Sequence, residues 1–270
     1  MLIKVVAVQS RLGSPLTLEE RIHIFKQRPD VVCLPEYYMV GPEIADYHRA
    51  AVSTPDHLKS FQRLSDELST CLVAGTVVEG EEDRLYNACY VINRGLIIGR
   101  YRKRYPVPGE LSRGITPGDR QLVLDVEGVR IGIMICGDVF YPELYDEHRE
   151  AEVDLIVIPT TSAYRPADSK SQKEHRDRKY FQDGAVRSGG YVVKVCGVGT
   201  IFGKPLQGRS LVAAPWDMVA QVESSAESRK RILSVTLDIA ELRDFRHKMF
   251  TQHTGRTSQA AIQPLQVRTY

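Results

Sequence analysis

Apolar residues along this chain occur in short runs separated by turn residues, which is the pattern of buried β-strands. Some runs, such as 131–135, contain no polar residue and indicate strands that are covered on both faces. The runs lie at 3–8, 31–34, 71–78, 85–92, 96–101, 121–126, 129–135, 153–158, 191–195, 209–214, 218–222 and 232–237.

Helix signals lie between these runs. Thr17 starts a short amphipathic segment to 27, and the sequence Ser53-Thr54-Pro55-Asp56 opens a second helix that reaches about 69. Further helices are predicted from Pro142 to about His148, over the highly charged segment 169–187, and after the capping residue Asp238. The mixed order of ten or more strands and four or five helices favours an α/β fold of layered sheets covered by helices.

Two stretches differ from this pattern. Residues 102–120 form a long coil with three prolines, and a coil of that length inside a compact domain is usually functional. The chain from about 251 onwards is expected to be a polar C-terminal tail. Because no linker, repeat or low-complexity tract separates the other elements, residues 1–270 are predicted to form a single domain.

Composition narrows the class of protein. A net charge of +2, with 43% hydrophobic and 26% charged residues, is ordinary for a globular protein and gives no nucleic-acid footprint. The N-terminus lacks the layout of a signal peptide, and no apolar run is long enough to cross a membrane. Five widely spaced cysteines argue against a disulfide framework or a zinc site. We therefore expect a cytoplasmic protein.

Three residues whose side chains could take part in catalysis follow predicted strands or lie in adjoining coil: Glu36, Lys103 and Cys136. Taken singly, each fits an ordinary structural role, as a solvated carboxylate, a surface lysine and a small core side chain. Together they form a complete set for acyl transfer. A thiol nucleophile needs a base, a carboxylate among apolar strands can act as that base, and an ammonium group can stabilise an oxyanion.

The motifs around these residues make the chain resemble the nitrilase superfamily of carbon–nitrogen hydrolases over nearly its whole length. The matching pieces are Leu34-Pro35-Glu36-Tyr37, Gly99-Arg100-Tyr101-Arg102-Lys103, Glu110 with Ile115-Thr116-Pro117-Gly118, Gly132-Ile133-Met134-Ile135-Cys136-Gly137-Asp138, Tyr141-Pro142-Glu143-Leu144, Gly208-Arg209-Ser210 and Ala214-Pro215. Each piece is common alone, but their order makes the resemblance specific.

The resemblance implies a four-layer α-β-β-α sandwich, a homodimer or larger homo-oligomer, and no metal or organic cofactor. It also implies that Glu36 is the general base, Lys103 stabilises the oxyanion and Cys136 is the nucleophile. Glu110 is then a second glutamate that orients Lys103 or assists proton transfer. The backbone N–H of Gly137 is the expected second oxyanion donor.

Three departures from the family pattern refine these expectations. Cys136-Gly137-Asp138 replaces the Cys-Trp-Glu of many nitrile-cleaving members, which favours amides as substrates. Val139-Phe140-Tyr141 lacks the arginine of two carboxylate-recognising branches, which favours a small, neutral amide. Ala185-Val186-Arg187-Ser188 replaces Arg-Ala-x-Glu-Asn, so a buried glutamate is missing and Arg187 has no assigned role.

Other polar and aromatic residues are weaker candidates. Five residues near the expected mouth are candidates for shaping the substrate pocket: Phe140, Tyr141, Thr161, Ser162 and Tyr164. Arg165 could bind a carboxylate, although an arginine in an exposed loop more often has no ligand. His148 and His175 lack metal-ligand spacing and are interpreted as surface residues. The remaining cysteines lie in apolar runs and are expected in the core: Cys33, Cys71, Cys89 and Cys196.

Alternative functions remain open at this stage. A nitrilase or a carbamoyl hydrolase of the same superfamily would share the three residues. A papain-like hydrolase would need a histidine beside Cys136. A binding protein that kept the fold would have no use for Glu36, Lys103 and Cys136 together.

Overall fold

A computed structural model describes residues 1–254, the last four by their backbone only. Its strands are β1 Leu2–Arg11, β2 Val31–Cys33, β3 Cys71–Val73, β4 Val77–Glu81, β5 Arg84–Asn93, β6 Leu96–Arg102, β7 Val123–Val126, β8 Val129–Ile133, β9 Leu155–Thr160, β10 Tyr191–Ile201, β11 Lys204–Leu206, β12 Leu211–Ala213, β13 Met218–Gln221 and β14 Arg231–Asp238. Its α-helices are α1 Leu18–Lys26, α2 Tyr47–Val52, α3 Thr54–Glu67, α4 Pro108–Leu111, α5 Glu143–Glu150, α6 Lys170–Asp177, α7 Asp183–Ser188 and α8 Ile239–Thr254.

The strands form two sheets. One has the order β4-β5-β3-β2-β1, with β14 beside β1 and β6 beside β5. The other has the order β10-β9-β8-β7, with β11 and β12 beside β10 and β13 beside β12. The sheets are joined where the end of β1 pairs with β10, at Ser10 with Gly197 and at Arg11 with Val198.

The continuous apolar runs are explained by burial on both faces of each sheet. Successive residues of a strand point to opposite faces. In β1, Val5 and Ala7 pack into a core between the sheets, whereas Val6 and Val8 pack under α1 and α3. The second sheet is covered in the same way by α5 and α7, through a third cluster that includes Leu144. This confirms the expected four-layer α-β-β-α arrangement.

Two elements are interrupted where sequence periodicity predicts continuity. The run 71–78 is split into β3 and β4 at Gly75, which has φ +66°. A Cβ atom there would lie 2.0 Å from the Pro35 carbonyl oxygen, so the chain must turn next to the segment that carries Glu36. The segment 169–187 is α6 followed by a π-helical turn, Arg178–Gln182, and then α7. Such turns frequently occur at functional sites.

The structure shows how the predicted helix starts and the predicted coil are formed. Thr17 caps α1 in a reciprocal capping box with Glu20, and the Asp238 carboxylate accepts from the Ala240 backbone N–H at the start of α8. The predicted coil 102–120 contains α4, which carries Glu110. Helix α8 continues through Thr254, so the first residues of the predicted tail are helical, and the rest of that predicted tail lies outside the described residues. Within the described part of the chain, no helix is long and apolar enough to cross a membrane.

Arg187, which had no assigned role, forms an ion pair with Asp146 of α5. The contact ties α7 to α5 on the outer layer. Its side chain is 45% exposed, so the paired charge lies at the surface and not in the core.

The surface interpretation of His148 is wrong, whereas His175 is exposed as expected. His148 is 2% exposed, and its Nδ1 lies 2.8 Å from Gln121 Nε2. Gly132 leaves room for the ring, since a Cβ atom there would lie 2.8 Å from it. Burial lowers the pKa of His148 to about 4. The neutral imidazole is therefore a core side chain.

This burial predicts acid sensitivity. Because the unfolded chain takes up a proton at His148 near its ordinary pKa and the folded chain does not, stability is fully present above about pH 6.5 and falls as the pH drops towards 4. We expect His148 to account for a loss of about 2–3 kcal/mol between pH 7 and 4.5. Urea unfolding of the wild type and His148→Gln at both pH values measures it. Equal pH dependence in the two proteins would contradict the assignment.

Candidate active site

Cys136 lies at a sharp corner between β8 and a 3₁₀ turn, Cys136–Phe140. Its φ is +43°, a left-handed conformation that costs free energy for a residue other than glycine. Asp138 holds the corner in place. Its buried carboxylate accepts from the Ile135 backbone N–H at 2.9 Å, the Tyr105 N–H at 2.9 Å and the Tyr101 hydroxyl at 2.8 Å. The third position of Cys-Gly-Asp is therefore a structural clamp.

Glu36 follows β2 and is 1% exposed. Its Oε1 accepts from Lys103 Nζ at 2.9 Å and from Asn87 Nδ2 at 2.8 Å. Its Oε2 accepts from the Thr161 backbone N–H at 2.8 Å and from the Thr161 hydroxyl. Thr161 follows β9 of the other sheet, so the carboxyl ends of one strand from each sheet meet at Glu36.

Lys103 is also 1% exposed and lies between two carboxylates. Its Nζ is 2.9 Å from Glu36 Oε1 and 2.7 Å from Glu110 Oε2. Burial alone would lower the pKa of Lys103, but the charges of Glu36 and Glu110 outweigh it and hold the pKa well above its ordinary value. Burial opposes ionisation of Glu110, yet contact with Lys103 and Tyr37 lowers its pKa. Lys103 is therefore a fixed cation.

The Cys136 thiol lines the same cavity as Glu36, Lys103 and Glu110. Its Sγ donates to the Thr161 carbonyl oxygen at 3.4 Å. Burial and the neighbouring Glu36 carboxylate raise the pKa of the thiol, and the charge of Lys103 only partly offsets them. The free protein therefore carries a protonated thiol, which requires a base at the moment of attack.

This arrangement predicts that the reaction rate does not follow the ionisation of a free thiol as the pH rises. If a base removes the proton during attack, the initial rate of any accepted substrate should not rise with a midpoint near pH 8.5, the ordinary pKa of a free cysteine. Measuring kcat/KM between pH 7 and 9.5 tests this. A tenfold rise per pH unit that levels off near 8.5 would show independent ionisation of Cys136 and contradict base-assisted attack.

Gly137 follows the thiol and has no room for a side chain. A Cβ atom there would lie 2.7 Å from Val107 Cγ1 and 3.8 Å from Lys103 Cε. The backbone of Gly137 is therefore close to the end of Lys103. This placement is compatible with the expected second oxyanion donor, which stays a prediction.

The cavity has a volume of about 390 Å³. Of the five predicted pocket residues, Phe140, Thr161 and Ser162 line it. Tyr141 and Tyr164 are not in its wall. Tyr141 stacks on Tyr105 with 3.5 Å between ring centroids, and Tyr164 is half exposed on the surface, with its backbone N–H bonded to the Pro205 carbonyl oxygen.

Sequence reasoning missed several polar residues at the site. Asn87 Nδ2 bridges Glu36 and Glu110, at 2.8 and 2.9 Å, and the Tyr37 hydroxyl donates to Glu110 Oε1 at 2.7 Å. Lys194 of β10 also lines the cavity. A detectable signal existed for Asn87 and Lys194, because each is a polar residue inside an otherwise apolar strand.

The other cysteines are buried as expected, with exposures between 0 and 2%. Among the described residues, no group of three or more histidine, cysteine or acidic side chains is arranged to hold a metal ion.

A model of the carbon–nitrogen hydrolase family matches residues 11–247. The chain belongs to the carbon–nitrogen hydrolase family. Among relatives of this hydrolase, omega-amidase NIT2 of Homo sapiens is 25% identical over 250 residues, which cover 88% of this chain and 87% of the relative. A glutamine-dependent NAD(+) synthetase of Acinetobacter baylyi is 27% identical over 143 residues, which cover 52% of this chain but only 26% of the synthetase.

Solved structures support the same fold for the hydrolase. A carbon–nitrogen hydrolase from Helicobacter pylori superposes with a TM-score of 0.79 at 17% identity, covering 94% of this chain and 95% of that one. An amidase from Nesterenkonia sp. gives a TM-score of 0.71 at 16% identity, covering 93% and 96% of the two chains. At these identities the structural match establishes the fold.

Proposed function

We propose that this hydrolase cleaves the C–N bond of a small amide through a thioester on Cys136. The observation that carries the proposal is the meeting of Glu36, Lys103 and Cys136 in one cavity, with Lys103 held between two carboxylates. The similarity to an omega-amidase and to an amidase supports amides as the substrate class.

In the proposed reaction, Glu36 takes the thiol proton as Sγ attacks the amide carbon. Lys103 Nζ and the Gly137 N–H stabilise the negative charge that develops on the carbonyl oxygen. The C–N bond then breaks, and Glu36 returns the proton to the leaving nitrogen, so that ammonia departs. Glu36 next removes a proton from water, which attacks the thioester and releases the carboxylic acid and the thiol.

The hydrogen bonds of Glu36 suit this role. Asn87 and Thr161 fix the carboxylate, and Lys103 contacts the Oε1 oxygen while Thr161 contacts Oε2. A fixed carboxylate loses little further freedom when it takes a proton. Glu110 is the proposed positioning residue for Lys103.

The alternatives can be separated at this site. A papain-like reaction needs a histidine near the thiol, and none of the described residues that line the cavity is a histidine. A nitrilase or carbamoyl hydrolase would use the same three residues, so the choice depends on substrate. The homodimer and the cytoplasmic location stay predictions.

A panel of small amides, carbamoyl compounds and nitriles tests the proposal, with ammonia release as the readout. We expect amides to give the highest kcat/KM, and Cys136→Ala to abolish release from every accepted compound. A preference for nitriles would refute the amide assignment. Absence of turnover, with iodoacetamide labelling all five thiols equally, would favour a non-catalytic binding protein.

A further inference from the structure

Thr161 forms hydrogen bonds with the side chains of both Glu36 and Cys136. Its backbone N–H, at 2.8 Å, and its hydroxyl both donate to Glu36 Oε2. Its carbonyl oxygen accepts from Cys136 Sγ at 3.4 Å. Within the described part of the chain, no hydrogen bond joins Sγ to Glu36 directly. Thr161 therefore connects the proposed base to the proposed nucleophile.

The Glu36 carboxylate has no free position for another hydrogen. An ionised carboxylate offers about four lone-pair sites. Lys103 Nζ and Asn87 Nδ2 donate to Oε1 at 2.9 and 2.8 Å, and the two donors of Thr161 occupy Oε2. A proton can therefore reach Glu36 only if one of these four donors gives way to it.

Three of the four donors are fixed. The Lys103 ammonium group and the Thr161 backbone N–H can only donate. Asn87 Nδ2 also donates to Glu110 Oε1 at 2.9 Å, so turning its amide would bring a carbonyl oxygen against two carboxylates. The Thr161 hydroxyl differs from them, because a hydroxyl both donates and accepts. It can pass its own hydrogen to Oε2 and take another from a neighbour.

The segment that carries Thr161 is held in place by β11. Ser162 follows Thr161, and its carbonyl oxygen accepts from the Gln207 backbone N–H at 2.9 Å. The Tyr164 backbone N–H donates to the Pro205 carbonyl oxygen, also at 2.9 Å. These bonds fix the backbone on the carboxyl side of Thr161, and β9 fixes it on the other side. The hydroxyl is thus presented from a rigid support, which proton transfer requires.

We propose that Thr161 is a catalytic residue whose hydroxyl relays the proton from Cys136 to Glu36. The inference rests on the proposed amidase function, because it specifies how the base of that reaction receives its proton. It goes beyond the fixing of the Glu36 carboxylate, for which the backbone N–H of Thr161 and the amide of Asn87 would suffice.

The relay moves one proton in two linked transfers. As the sulfur attacks the amide carbon, the S–H bond turns from the Thr161 carbonyl oxygen to its hydroxyl oxygen and breaks, and the proton adds to Oγ. The original Oγ–H bond breaks at the same time, and that hydrogen adds to Glu36 Oε2. Thr161 again carries one hydroxyl hydrogen, Glu36 is neutral, and the sulfur electron pair forms the C–S bond. Glu36 then holds the proton that the leaving nitrogen needs.

Thr161→Val tests the relay, because it removes the hydroxyl and keeps the backbone contacts. The thiol must then ionise by itself, and burial raises its pKa. We expect kcat/KM at pH 7 to fall by about 10²-fold. It should also rise about tenfold per pH unit between pH 7 and 9, a rise that the wild type lacks. No loss, or a loss that is equal at every pH, would overturn the relay, since the hydroxyl would then at most position Glu36.

A conservative variant and a matched control complete the comparison. Thr161→Ser restores a hydroxyl, so kcat/KM should recover by about tenfold or more over Thr161→Val, and the rise with pH should disappear. Thr70→Val also removes a buried hydroxyl, which donates to the Pro29 carbonyl oxygen at 2.8 Å outside the cavity wall. It should lower the free energy of unfolding in urea and leave the pH profile unchanged. A serine variant that behaves like the valine variant would overturn the relay.

Iodoacetamide gives a readout that needs no amide substrate. Alkylation of Cys136 also requires loss of the thiol proton, so its rate at pH 7 should fall about tenfold or more in Thr161→Val. Peptide mass spectrometry assigns the label to Cys136. Equal rates in the wild type and the variant would overturn the relay. If alkylation depends on Thr161 but no amide is hydrolysed, the proposed function fails and the relay stands.

Discussion

Cys136→Ala is expected to lower kcat for any accepted amide by at least about 10⁴-fold, because it removes the atom that forms the covalent bond. The protein should still fold, since Cys136 lines the cavity and packs against the inter-sheet core without being one of its buried members. Ammonia release measured with a fluorescent assay, together with circular dichroism of the variant, checks both statements.

A second cysteine-to-alanine substitution, used as a control, separates the loss of the nucleophile from the loss of packing. Cys89→Ala removes a thiol that is fully buried in the inter-sheet core, so it should lower the free energy of unfolding and leave kcat within a factor of about two. Turnover that survives in Cys136→Ala would identify another nucleophile. Equal loss of activity in both variants would show that folding, and not the thiol, limits the assay.

Lys103→Met is expected to lower kcat by about 10²–10³-fold, the effect of losing one oxyanion donor. It should also destabilise the protein by about 3–5 kcal/mol, because Glu36 and Glu110 would be left buried without their shared cation. Stopped-assay kinetics and urea unfolding at pH 7 measure the two effects separately.

The double variant Glu36→Gln with Lys103→Met separates the effect of Lys103 on stability from its effect on activity. Replacing one carboxylate by its neutral isostere removes part of the unpaired charge, so the double variant should recover stability relative to Lys103→Met. It should remain inactive, since both base and cation are gone. Recovery of activity along with stability would show that the chemistry needs neither Glu36 nor Lys103.

Much of the layered architecture follows from the apolar runs, because residues such as Val5 and Val6 must be covered on opposite faces of one strand. The candidate catalytic residues could be named from the sequence because family motifs surround Glu36, Lys103 and Cys136. Their contacts could not be read from sequence. Asn87 joins Glu36 to Glu110 only because antiparallel pairing of β5 with β6 brings it beside Lys103.

The features that could not be predicted from the sequence depend on contacts between segments that are far apart along the chain. The π-helical turn after α6 follows Asp177, whose partners Lys194 and Arg209 come from two other elements. His148 reads as a surface residue of a charged helix, yet the missing side chain at Gly132 makes space for it. Tyr141 was expected in the pocket because it is close to Cys136 in sequence, but its ring stacks on Tyr105.

The most direct test of the central claim is the mass of the protein during turnover. Enzyme mixed with an accepted amide, quenched in acid at millisecond to second times and digested, should show the substrate acyl group, the amide less ammonia, on the peptide that contains Cys136. The adduct should be absent in Cys136→Ala. Turnover with an adduct on another thiol, or with no adduct at any time during a single turnover, would contradict the thioester mechanism.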